Sequence, residues 1–281
     1  MKIAITSEST IDLNKEQLEE YGIKTVPFTI LLGEEVGLDG VVTPLDIFDY
    51  VDRTGVLPKT SAVNEAQYRE FFTEILKEYD EIVHVAFSSE LSSACSNAFL
   101  AAEGNPHIRI IDSKSLSSGI ALLALSASKL VDEGLSADEV YERTKARVKD
   151  VQASFVVATL DYLNKGGRCS ALQKLGAQLL RKRPQIIVKD GKMGPGKTYT
   201  GKQYDCISKY IDDTFEQFNN PDLSVCFITH SYAPEDVVEM VANKVRARGF
   251  RNIIFCHAGS TISSHCGPKC LGILYINDGG K

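Results

Sequence analysis

The stretch from Glu81 to Val131, EIVHVAFSSELSSACSNAFLAAEGNPHIRIIDSKSLSSGIALLALSASKLV, decides the fold. Glu81 to Phe87 is an apolar, β-branched run of strand length. Ser92 to Ala102 has the composition of a helix, His107 to Ile111 is a second apolar run, and Gly119 to Val131 is a longer helical one. Apolar strands alternating with helices of this length build βαβ units, and such units build a parallel sheet.

Reading outward toward the start of the chain, Lys2 to Thr6 is a further buried strand. Asn14 to Tyr21 is a helix opened by Asn14 and closed by Gly22, and Lys24 to Leu32 is an apolar strand that Gly33-Glu34 turns into a second, short one. Thr43-Pro44 starts a helix with a capping hydroxyl followed by Pro at the first helical position. Asn64 with Gln67, and Ser136 with Glu139, have capping-box spacing, which opens helices over Asn64 to Lys77 and Ser136 to Asp150. A domain boundary is expected just after the last of these, dividing the chain into 1–151 and 152–281.

Beyond the boundary the pattern predicts a strand over Ala153 to Thr159, helical segments at Leu160 to Asn164 and Leu172 to Leu180, and a hairpin turning at Asp190-Gly191. A helix over Gln203 to Phe218, a strand over Leu223 to Thr229, a helix over Pro234 to Arg248, and strands at Asn252 to Cys256 and Leu271 to Ile276 complete it. The fold class is therefore α/β, two α/β domains, the first with a largely parallel sheet, and a ligand cleft is expected between them.

Composition narrows the function. With 43% hydrophobic and 24% charged residues the 281-residue chain is globular. A net charge of −6 argues against a general nucleic-acid binder, which needs a basic face. The 7 Cys show no disulfide-framework spacing and read as reduced thiols. MKIAITS begins a strand and not a signal peptide, and no apolar run approaches the ~20 residues that cross a bilayer. A cytoplasmic protein with at most transient membrane contact is expected.

Hydroxyl groups cluster where chemistry is expected. Thr6, Ser7, Ser9 and Thr10 follow the first strand; Ser88, Ser89, Ser92 and Ser93 follow Phe87; Ser113, Ser115, Ser117 and Ser118 follow Ile111. In a parallel sheet such loops lie at the carboxyl edge and lead into helix N-termini, which suits a small anion, a carboxylate or a phosphate. Ser and Thr are also ordinary helix caps, and most of these residues are expected to do only that.

Three other strings carry weaker signals. Gly191 to Thr198, GKMGPGKT, matches the Walker phosphate-loop pattern, but that motif needs a helix starting at the Lys, and here Tyr199-Thr200-Gly201 continues an extended segment. An exposed basic hairpin tip is the plainer reading. Ser264 to Cys270, SHCGPKC, offers His and Cys neighbours without a second pair at zinc-site spacing, so no metal is expected; His265, on the turn before the last strand, is placed to donate a hydrogen bond to an anion. Leu160 to Arg168, LDYLNKGGR, is a short helix ended by Gly166-Gly167. Lys165 and Arg168 flank the two glycines, placed for an anion or an acidic partner, with Lys174, Arg181, Lys182 and Arg183 beyond, a local basic patch suited to docking.

Together SEST-IDL from Ser7, PKTS from Pro58, SSELSSACSNA from Ser88, IDSKSLSSG from Ile111, LDYLNKGGR and HCGP resemble, in this order and over nearly the whole chain, the DegV family of bacterial fatty-acid-binding proteins. The resemblance implies two α/β domains with a fatty acid between them as the ligand and no cofactor. It implies a carboxylate held by Thr60, Ser61, Ser92 and His265, with Ser93 and Arg168 near the head group or a partner. It implies no catalysis by this chain. Some members are carrier subunits of a fatty acid kinase, whose separate ATP-binding subunit phosphorylates the bound carboxylate to an acyl-phosphate for phospholipid synthesis. The chain departs from the family pattern at Glu8 (usually Asp), Ala62-Val63 (usually Gln-Pro), Ser93-Ala94 (usually Gly-Thr) and Lys269 (usually Gly), changes that bear on chain preference and kinase coupling. An ATP-dependent phosphotransferase using residues 191–198 and a small-anion sensor are the competing readings.

Overall fold

A computed structural model describes residues 1–168 and 182–280. In chain order its strands are β1 (Ile3–Glu8), β2 (Ile23–Val26), β3 (Thr29–Leu32), β4 (Glu35–Leu38), β5 (Lys59–Ser61), β6 (Glu81–Ala86), β7 (Ile108–Asp112), β8 (Val151–Val156), β9 (Lys182–Lys189), β10 (Lys192–Thr200), β11 (Val225–His230), β12 (Asn252–His257) and β13 (Leu271–Ile276). The helices are α1 (Lys15–Glu20), α2 (Pro44–Thr54), α3 (Glu65–Ile75), α4 (Ala94–Ala102), α5 (Ser118–Asp132), α6 (Ala137–Arg147), α7 (Asp161–Gly166), α8 (Gln203–Gln217), α9 (Glu235–Ala247) and α10 (Ser260–Cys266). The helix anticipated over Leu172 to Leu180, with Lys174 and Arg181, lies outside the described residues.

The first sheet is parallel throughout, in the order β2-β1-β6-β7. The alternation that predicted it is present, and β1 and β6 are buried along their whole length, as strands covered on both faces must be. The second sheet runs β10-β9-β8-β13-β11-β12; all its pairs are antiparallel except β11 with β12.

The expected strand over Lys24 to Leu32 is two strands. Pro27 has no N–H for a ladder bond, and the chain changes sheets there: β2 stays in the parallel sheet, while β3 joins a small antiparallel sheet of order β4-β3-β5. That small sheet positions the site, because β5 carries Thr60 and Ser61.

Capping is as read at Asn14, Asn64/Gln67 and Ser136/Glu139, and two further reciprocal boxes form, Asn14 with Gln17 and Thr43 with Asp46. Helix α5 is buried almost all round over its first seven residues, which explains its apolar sequence. It touches β1 and β6 of the parallel sheet on one side and β8, β11 and β13 of the mixed sheet on the other. One cluster of buried side chains accordingly runs from Ile5, Val83 and Val85 through Ile120 and Leu123 to Phe155, Phe227 and Leu274.

Candidate functional site

Thr60, Ser61, Ser92, Ser93, Arg168 and His265, drawn from four separate parts of the chain, line one cavity of about 300 Å³. That is the lower end of the range of small-molecule sites, roughly 300–1,000 Å³. Much of the remaining wall is apolar: Phe28, Phe87, Leu91, Leu116, Phe155, Leu163, Met193, Ile262 and Leu274. The wall takes residues from the parallel sheet's loops, the small sheet, the mixed sheet and α10.

The centre of the polar end is a hydrogen bond of 2.9 Å between Thr60 Oγ1 and His265 Nε2. His265 sits in the last turn of α10 and not on the loop expected from the sequence. Burial, and secondarily the charge of Arg168, lower its pKa to about 4, so the ring is neutral near pH 7. Its Nδ1 has no hydrogen-bond partner among the described residues and faces Gly166, where a Cβ would lie 2.7 Å away. When Nε2–H donates to Thr60, the Thr60 hydroxyl proton is free to turn into the cavity toward an anion.

Two glycines let the LDYLNKGGR and HCGP strings meet. Helix α7 packs against α10, with Gly166 under the imidazole. Gly267, at φ +73°, ends α10 where a Cβ would come within 2.7 Å of the Tyr162 ring. Arg168 follows, exposed, its Nη1 donating to Gly166 O at 2.8 Å. Elsewhere on the wall Ser92 Oγ accepts from Ala94 N–H at 3.2 Å at the start of α4, and Ser93 is exposed beside it. The N-terminus of α4, the hydroxyls and the imidazole thus line one cavity, a set of groups that suits a carboxylate.

Most of the other loop hydroxyls serve the fold. Ser7 bonds Val85 O, Thr6 bonds His84, Ser9 bonds Asp39, and Ser88 donates to Gly191 O at 2.9 Å. Glu8 is fully buried and off the cavity wall; it accepts from Tyr68 Oη at 2.5 Å and Phe87 N–H at 2.9 Å. Val63 is core, and Lys269 is exposed and away from the cavity.

The Walker-like string is strand. Lys192 to Thr200 pairs antiparallel with β9, and its lysines follow no helix turn. Its Gly191 tip reaches across to Ser88 and Lys114 of the parallel sheet. Lys197 pairs with Asp213 at 2.8 Å. The P-loop geometry that nucleotide binding there requires is absent.

Sequence reasoning singled out Ser117 as a loop hydroxyl but missed three further hydroxyls on the wall, Thr229, Ser231 and Thr261. Ser117, Thr229 and Ser231 are buried and each has a partner: the Asp12 carboxylate, Ser118 Oγ at 2.5 Å and Gly267 O at 2.5 Å. Thr261, 3% exposed, has none among the described residues. A helix assignment for α10 would have put Thr261 one turn from His265.

No helix among the described residues is long and apolar enough to cross a membrane. A model of the DegV family, described as uncharacterised proteins, matches residues 2–278. A DegV family protein from Thermus thermophilus whose structure is described as fatty acid binding superposes with a TM-score of 0.89 at 26% identity, covering 98% of this chain and 99% of that one. A stearic acid-binding protein from Eubacterium ventriosum gives 0.83 at 25%, covering 98% of each chain. A fatty acid-binding protein of Thermotoga maritima is 27% identical over 282 residues, 97% of this chain and 96% of its own.

Proposed function

We propose, since the chain belongs to the DegV family, that it binds a long-chain fatty acid between two units, 1–151 and 152–281, and presents the head group to a separate kinase subunit. Thr60, Ser61, Ser92 and His265 hold the carboxylate, and the apolar wall takes the acyl chain. The observation that carries this reading is the Thr60–His265 pair at the polar end of an otherwise largely apolar cavity. Relatives at 25–27% identity over almost the whole chain are named for binding fatty acids, which supports the same ligand class here.

The energetics fit a carrier. A buried carboxylate needs hydrogen bonds, and hydroxyls with a neutral imidazole supply them without a full ion pair. At ~0.8 kcal/mol per buried CH₂, a tail of about 14 methylenes offers on the order of 11 kcal/mol before the losses of association. The tail therefore supplies affinity, and the head-group residues supply orientation. Phosphorylation of the carboxylate to an acyl-phosphate falls to the partner, toward which exposed Arg168 and Lys165 present positive charge at the polar end. Extraction of the purified protein followed by mass spectrometry tests the ligand: a stoichiometric long-chain fatty acid is expected, and well-folded protein that neither carries nor takes up any fatty acid overturns the reading.

A further inference from the structure

The Walker-like string lacks P-loop geometry, yet its tip is seated to a close tolerance. Asp190 and Gly191 both have positive φ, 51° and 83°, as a tight two-residue turn between β9 and β10 requires. A Cβ on Gly191 would stand 2.6 Å from Ser88 Oγ, 2.9 Å from Lys114 Cδ and 3.0 Å from Glu90 Cγ, so a glycine is needed there for space as well as for φ. Gly191 O accepts from Ser88 Oγ at 2.9 Å, and Lys192 pairs with Glu90 at 3.3 Å. The tip of a hairpin from the mixed sheet is thus docked on the loop that follows β6 in the parallel sheet.

Ser88 is fully buried and is the hub of that loop. Its hydroxyl, which donates to Gly191 O, also accepts from Glu90 N–H at 3.3 Å. Its carbonyl accepts from Leu91 N–H at 3.1 Å and from Ser92 N–H at 3.2 Å. Leu91 and Ser92 both line the cavity, whereas Ser88 and Gly191 are off its wall. The backbone of Ser92 therefore hangs on Ser88, and the Ser88 hydroxyl is tied to the other sheet. Lys114 steadies the same loop from the parallel sheet's side, donating from Nζ to Ser89 Oγ at 2.9 Å and pairing with Asp112 at 2.9 Å, so the hairpin's own contribution is the tie at Ser88. We infer that the Gly191 tip positions the head-group loop: through Ser88 it sets where the Ser92 hydroxyl stands on the cavity wall, and so aligns a carboxylate contact without touching the ligand. This rests on the fatty-acid reading of the cavity and adds Ser88 and Gly191 to it as positioning residues. A displacement of about 1 Å at a contact of this kind is enough to spoil orientation.

Palmitate labelled with carbon-13 at the carboxyl, bound to delipidated protein and followed by NMR, tests this, with affinity measured by calorimetry. Wild type is expected to give one bound carboxyl resonance. Ser88→Ala and Gly191→Ala should each shift or broaden it, as Ser92→Ala does, while palmitate affinity falls less than about threefold because the tail supplies it. Lys197→Ala, which loosens the same hairpin at its Asp213 pair, should leave the resonance in place. In a Ser92→Ala background Ser88→Ala should shift it no further, the non-additivity of residues that act through one contact. A resonance unmoved by Ser92→Ala or by both Ser88→Ala and Gly191→Ala, an equal shift from Lys197→Ala, or full additivity with Ser92→Ala would overturn the inference while leaving the fatty-acid site standing. Failure of wild type to bind palmitate would overturn both.

Discussion

The carboxylate of Asp12, in the loop after β1, accepts a hydrogen bond of 2.9 Å from the backbone N–H of Gly259, 247 residues further along the chain. Gly259 is the residue before α10 and supplies no side-chain cap of its own. Asp39 does the same for the next N–H, that of Ser260, at 2.9 Å. The helix that carries His265 and Thr261 is therefore capped by two carboxylates from the other end of the sequence. Ser117 completes the cluster by donating to Asp12.

Burial raises the Asp12 pKa well above the usual carboxylate value, and Asp39 adds to the rise, against the bonds from Ser117 and Gly259. A raised folded-state pKa contributes stability below the unfolded value that is lost as pH rises through the folded one. Asp12→Asn keeps an acceptor for Gly259 without the charge. It should be as stable as wild type or more so at neutral pH, and lose that advantage on acidification. Asp12→Ala leaves the N–H unpaired and should cost about 1–3 kcal/mol. Thermal unfolding of the three proteins across this pH range checks both signs.

The His265 ring, with its pKa lowered to about 4 from 6.5, should stay neutral well below pH 6.5 in the ligand-free protein. Here the sign is opposite: stability from the neutral ring is present above 6.5 and lost as pH falls toward 4. A bound carboxylate beside the ring favours the imidazolium, so fatty acid should move the midpoint upward. Nitrogen NMR of the imidazole follows the titration with and without ligand; an unmoved midpoint would count against a carboxylate at this ring.

Gly166→Ala places a methyl 2.7 Å from His265 Nδ1 and should tilt the ring away from Thr60. Fatty-acid orientation should suffer more than stability. Gly267→Ala meets both the Tyr162 ring and a positive φ, and should lower stability by about 1–3 kcal/mol. Melting temperature and ligand affinity, measured on both variants, separate the two effects.

With a cognate kinase, His265→Ala or Ser92→Ala should slow acyl-phosphate formation several-fold more than it weakens fatty-acid binding, because the tail carries the affinity. Phosphorylation at the wild-type rate in both variants would remove the head-group assignment.

Ser88→Ala removes the hydroxyl that holds the Gly191 hairpin tip and should cost about 1 kcal/mol by chemical denaturation. Magnesium-ATP should leave the melting temperature of wild type and Lys197→Ala alike unchanged, since the string around Lys197 is a strand.

What the sequence made legible follows from how local each signal is. The parallel sheet and the helices opened by Asn14, Thr43, Asn64 and Ser136 are written in short periodicities and caps a few residues apart. Of the residues proposed for the head group, Ser92 and His265 stood out in their own strings, and Thr60 and Ser61 only through a resemblance spread over the chain. Helix α10 was not legible, because STISSHC is poor in helix formers and its capping groups are Asp12 and Asp39, far away in sequence. The loop hydroxyls looked alike in sequence; tertiary contacts alone separate Ser88, which anchors a hairpin, from Ser92, which faces the cavity.

Helix α5 belongs to both sheets at once, and this sets how the molecule comes apart. Cut at residue 151, the first segment would keep α5 with the side that meets β8, β11 and β13 bare, and the second would lose the cover of its mixed sheet. Neither piece has a complete interior, so the chain should melt in a single cooperative transition. The cavity walls are drawn from both segments and so become complete only when that shared interior closes.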